Sequence, residues 1–74
     1  MLVRTRLSTH RYQLLNEETK NRIKELSAKY CKDMLFNHEF ECFELLWEEC
    51  NWLLVNLAEP EIFALWSAER FEHV

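Results

Sequence analysis

The chain has 74 residues, nearly half of them apolar and 30% charged, with no glycine and a formal net charge of −4. That length holds one domain, and three Trp, five Phe and two Tyr supply the large buried areas a small core needs, which argues against intrinsic disorder. Lacking glycine, the chain has no phosphate-cradling loop of the P-loop or dinucleotide-binding kind and lacks the residue that most cheaply makes hairpin turns, while no apolar run approaches the roughly 18 residues of a membrane span.

These features predict an all-α fold, a compact three-helix bundle with an N-terminal extended arm or short extra turn. Residues 1–15 form the arm or short helix: Met1 to Leu7 alternate weakly, as an extended arm or edge strand would, and Ser8 and Thr9 suit the cap of a short turn reaching Leu15. The first helix is expected over 16–36, with Asn16 as N-cap and Glu17 and Glu18 in the first turn, where the helix dipole favours acid. Ile23, Leu26, Tyr30 and Met34 follow at spacings of one helical face, and Glu18–Arg22 and Glu25–Lys29 are i,i+4 pairs in the favourable order.

A second helix is expected over 38–57. At about 100° per residue, Phe36, Phe40, Phe43, Leu46, Trp47, Cys50, Leu53, Leu54 and Leu57 gather into an arc of roughly 140°, wide enough for the central wall of a bundle. Opposite lie Glu41, Glu44, Glu48 and Glu49, interrupted by Leu45 and Trp52 as a second apolar stripe. Pro60 opens the third helix, expected over 60–71, because proline suits a first turn and keeps the preceding Glu59 out of the α region. Ile62, Leu65, Trp66 and Ala68 or Glu69 run along it.

Charge is unevenly spread. Residues 1–37 carry eight basic and four acidic side chains (+4), whereas residues 38–74 carry one basic and nine acidic (−8). The basic residues Arg4, Arg6, Arg11, Lys20 and Lys24, in and after the arm, make nucleic-acid binding one reading, since such an arm can track phosphates. The acidic pI, about 5.3, and the spread of the helical charges weigh against it. The acidic half suits a second reading, mimicry of nucleic acid by Glu41, Glu44 and Glu48 with Glu59, Glu61, Glu69 and Glu72, as in small inhibitors carried by viruses and other mobile elements.

Metal and covalent chemistry fit poorly. His38 and Cys42 are spaced i,i+4 with Cys31 and Cys50 nearby, but no paired C-x-x-C or H-x-x-x-H ligands are present, so no metal or other cofactor is expected. Glu39, Glu41 and Glu44 beside Cys42 would oppose a thiolate, so no enzyme is expected either. The N-terminus has basic residues without an apolar core behind them, and reduced thiols in the cytoplasm are the expected setting. The expected function is thus a non-enzymatic adaptor or inhibitor that docks Glu41, Glu44, Leu45, Glu48, Glu49 and Trp52 on a protein with a basic surface, with a homodimer as another way to cover apolar area. The alternative is a nucleic-acid-binding regulator that uses the basic arm. No motif in the chain is specific enough to name a family.

Overall fold

The computed structural model describes residues 1–64 and 66–71, the last five of these by their backbone course. Its architecture corrects the all-α expectation. The elements run β1 (Leu2–Ser8), α1 (Thr9–Leu14), α2 (Glu17–Tyr30), β2 (Cys31–Asn37), β3 (Cys42–Glu48), α3 (Glu49–Ala58), α4 (Pro60–Phe63) and β4 (Ser67–Phe71). Strands β2, β3 and β1 form an antiparallel sheet, and β4 extends it along the outer side of β1, giving the order β2-β3-β1-β4. This is mixed α/β architecture built on a sheet whose strand pairs are all antiparallel.

The arm is an inner strand. Val3, Thr5 and Leu7 alternate with the half-buried Arg4 and Arg6, and β1 pairs with β3 on one side and β4 on the other. Ser8 caps α1 by accepting from the His10 amide. The first long helix begins as its sequence indicates, with Asn16 Oδ1 accepting from the Thr19 amide at 2.8 Å, and it buries Ile23 and Leu26. It stops at Tyr30 instead of continuing to residue 36, because residues 31–37 pair with β3 and tertiary pairing overrides a modest helical preference.

The helix expected over 38–57 is half strand. In β3, Phe43, Leu45 and Trp47 face one side and Glu44, Leu46 and Glu48 the other, a period of two that a short apolar-rich run shares with a helical pattern. Only from Glu49 does the chain become helical, and α3 then buries Val55 while Leu53, Leu54 and Leu57 of the expected core arc stay exposed. The third helix is confined to Pro60–Phe63, with Pro60 in its first turn, and the chain is extended again at Ser67–Phe71. Leu65 and Glu72 lie outside the described residues, as does the side chain of Glu69.

A hairpin forms without glycine. Residues 38–41 make the β2–β3 turn. Asn37 Oδ1 accepts from the amides of Glu39 (3.0 Å) and Phe40 (3.1 Å), and Glu41 takes the left-handed conformation at φ 50°. Thr9 fastens this turn to the start of α1, its amide and its hydroxyl both donating to the Glu41 carbonyl at 3.1 and 3.0 Å.

The helices cover one face of the sheet. Val3, Leu7, Leu45 and Trp47 from the strands meet Ile23 and Leu26 of α2, Val55 of α3 and Phe63 of α4. Trp47, Phe63 and Trp66 form an aromatic cluster with ring centroids 4.4–5.7 Å apart. The indole N–H of Trp47 donates to Thr5 Oγ1 at 2.9 Å, so both buried polar groups are satisfied inside the core. Removing either partner strands the other, a penalty of about 1–3 kcal/mol.

Candidate functional site

The two sets of residues expected to bind partners are dispersed by the fold. Leu45 is 2% exposed and belongs to the core, and Trp52 packs half-buried against it, so these two do not form a free stripe. Glu44 lies on the opposite face of β3 from Leu45. Glu41 sits in the hairpin turn, Glu48 ends β3 and Glu49 begins α3. The helical row of Glu41, Glu44 and Glu48 does not exist, because a strand separates residues that a helix would stack.

The basic set fares similarly. Arg4 and Arg6 share the outer sheet face, where Arg6 Nε donates to Glu44 Oε2 at 2.8 Å and Arg4 Nε approaches the same oxygen at 3.6 Å. Arg6 also lies over the Phe40 ring, 5.6 Å from its centroid. Lys20 belongs to the helical layer, 3.5 Å from Glu17 and over the Tyr12 ring, and Arg11 and Lys24 are exposed there too. Arg22 bonds Glu59 at 2.6 Å and Lys32 bonds Glu48 at 3.1 Å. Among the described residues, Arg4 and Arg6 with Glu44, Arg22 with Glu59, and Lys32 with Glu48 thus join the basic first half to the acidic second half, which gives the charge asymmetry an internal destination.

Cysteine and histidine are likewise apart from the expected pattern. Cys31 stands at the bulge where β2 skips Lys32, its thiol donating to the carbonyls of Asp33 and Leu46, and burial pushes that thiol up, away from the thiolate. Cys42 is buried at the start of β3, Cys50 is exposed on α3, and His38 in the turn stacks edge-on against Phe36 at 4.8 Å. Among the described residues, no three His, Cys, Asp or Glu side chains are grouped to hold a metal ion.

What the fold does assemble is an open sheet edge. β2 is the outermost strand on its side, and its central residues Met34, Leu35 and Phe36 are 51%, 52% and 41% exposed, with Phe40 of the turn at 60%. Met34 and Phe36 point to the helical side, opposite Leu45 and Phe43, while Leu35 points to the outer side opposite Glu44. Phe36 packs edge-on against Phe43, 5.4 Å between centroids, and so stands upright at the edge. The amide of Met34 donates to the Asp33 carboxylate of its own strand at 2.8 Å.

Beside this edge, a cavity of about 170 Å³ opens between α2 and the sheet. Ile23 and Ser27 form its roof, Leu7, Phe43 and Leu45 its floor, and Met34 its rim at β2. The lining is apolar, and the Ser27 hydroxyl, buried there, has no hydrogen-bond partner among the described residues. The sequence pattern hid this site by placing Met34 and Phe36 on helical core faces. The remaining signal was the run Met34-Leu35-Phe36 bounded by Lys32-Asp33 and Asn37-His38, the form of a short strand between polar ends.

Compared with known proteins, the chain matches no family model, no curated protein sequence and no solved structure. Among the described residues, no helix is long and apolar enough to cross a membrane.

Proposed function

We propose that this chain is a non-enzymatic protein-interaction module, an adaptor or inhibitor, that takes a partner's extended segment along its β2 edge. The supporting observation is the exposed run Met34-Leu35-Phe36 on an outermost strand. Sheet edges offer unpaired N–H and C=O groups and are normally blunted by charge, proline, a bulge or a covering element. Here the bulge and Lys32-Asp33 lie at one end of the strand and leave its apolar centre exposed. Strand addition uses such an edge, with main-chain hydrogen bonds giving affinity and alternate side chains giving selectivity. The raised Cys31 thiol and the core position of Leu45 support a binding role over thiol chemistry or docking through the face of β3 that packs under the helices.

The test is affinity capture from the source cell extract with the tagged full chain and with its Leu35→Lys variant, read by quantitative mass spectrometry. Leu35 points away from the core, so the variant should keep the wild-type circular dichroism. Proteins recovered by the wild type should be lost from the variant, and equal recovery by both would place binding elsewhere on the molecule.

A further inference from the structure

Building on the β2-edge reading, we infer that the strand this edge takes is β2 of a second copy, in an antiparallel twofold pair with Leu35 on the axis. Twofold pairing is the commonest closed symmetry of oligomers and requires the same patch to fit itself. Directly opposed residues in an antiparallel pair point to the same side, so each register can be judged from the sequence of the strand.

With Leu35 on the axis, Leu35 faces Leu35, Met34 faces Phe36 of the second copy and Asp33 faces Asn37, so apolar residues meet apolar ones and polar meet polar. With Met34 on the axis, Asp33 opposes Leu35 and Lys32 opposes Phe36. With Asp33 there, two carboxylates face each other, which is destabilising. With Phe36 there, Met34 opposes His38 and Leu35 opposes Asn37. One register of the four is self-complementary.

The cavity adds an independent argument. Met34 forms its rim, and in this register Phe36 of the second copy lies across from Met34 on the same, helical side of the sheet. A dry apolar cavity of about 150 Å³ is large enough to take benzene, so the 170 Å³ space beside Met34 fits a phenyl ring. The partner ring would therefore enter from the open side of the strand. In the joined sheet, the Met34 amide exchanges the Asp33 carboxylate for main-chain pairing, and Asp33 is released toward Asn37 of the other copy.

Sedimentation of the purified full chain from micromolar to millimolar concentration reads this directly. Wild type should reach twice the 9.1 kDa single-chain mass. Leu35→Lys, which sets two ammonium groups face to face, should remain at the single-chain mass, and Phe36→Ala should dimerise at least tenfold more weakly. A second readout fixes the register. In a Cys50→Ser background, Leu35→Cys should give, on mild oxidation, a disulfide between the two position-35 thiols by peptide mapping, whereas Asp33→Cys should not link to itself. A wild type that stays at single-chain mass throughout overturns the second-copy proposal while leaving the wider edge reading to the capture experiment. A dimer that persists in Leu35→Lys, or that forms without the position-35 disulfide, overturns it as well, by placing the contact on another face.

Discussion

Glu44 collects more partners than its position in the sequence suggests. Its Oε2 takes Arg6 at 2.8 Å and Arg4 at 3.6 Å, and its Oε1 accepts from Asn37 Nδ2 at 3.3 Å. The hydrogen bond from Arg6 leads the effects that hold this carboxyl below the usual carboxylate range, with Asn37 and the charges of both arginines adding to it. The folded state therefore binds this proton less readily than the unfolded chain does. Its stabilisation is complete above the unfolded pKa, near 4.3, and is lost as pH falls through the lower folded value. Urea unfolding of wild type and Glu44→Gln, compared at neutral and at acid pH, should show a gap at neutral pH that narrows in acid. An equal gap at both pH values would mean that the carboxylate's charge contributes nothing. None of this was legible from residue types alone, since Arg4, Arg6 and Glu44 meet only once β1 lies beside β3.

At the scale of the element, the sequence marks structure where the chemistry is local. The Asn16 cap, the acidic first turn of α2 and Pro60 at the start of α4 each act within one turn of backbone. The strands leave a weaker mark in the sequence because their signals depend on partners. β3 contains no Val, Ile or Thr, and helical periodicity divides its Phe43-Leu45-Trp47 alternation, setting Phe43 and Trp47 on an arc with Leu46 and Cys50 and Leu45 on the stripe with Trp52. The absence of glycine does not preclude a hairpin. Asn37 organises the turn through its side chain, and Glu41 accepts a left-handed conformation that costs an ordinary residue about 1–2 kcal/mol. Glu41→Gly should relieve that strain at some loss of chain entropy, raising stability by up to about 1 kcal/mol in urea titration. A clear loss would show that the Glu41 side chain holds something its exposed position does not suggest.

For the molecule as a whole, the aromatic content points to a dense core, and Trp47, Phe63 and Trp66 cluster within it. Composition could not say which apolar residues would be left outside. A 74-residue chain cannot cover all its large side chains, and which ones remain is decided by strand order. Because β2 is outermost, Met34, Leu35 and Phe36 are exposed. Because β3 is inner, Leu45 and Trp47 are not. The same strand order places Leu45 in the core and puts the candidate edge where the sequence pattern reads as the end of a helix.

The inner place of β1 also orders events in time. Leu2 stands between Glu48 and Phe71, so the first strand is completed by segments from the middle and the far end of the sequence. The β2–β3 hairpin and α2 are built from near neighbours and can form early, but β1 must close long loops before its contacts repay the lost chain entropy. Insertion of β1 should then limit the refolding rate. Val3→Ala, a truncation of a fully buried side chain near the start of that strand, should slow refolding in stopped-flow mixing more than it speeds unfolding. The reverse would mean that β1 docks only after the barrier is crossed. Until it docks, β3 is a second open strand, and a nascent or refolding chain exposes Leu45 and Trp47 along it, a hazard for aggregation that the finished sheet removes from every strand but its edges.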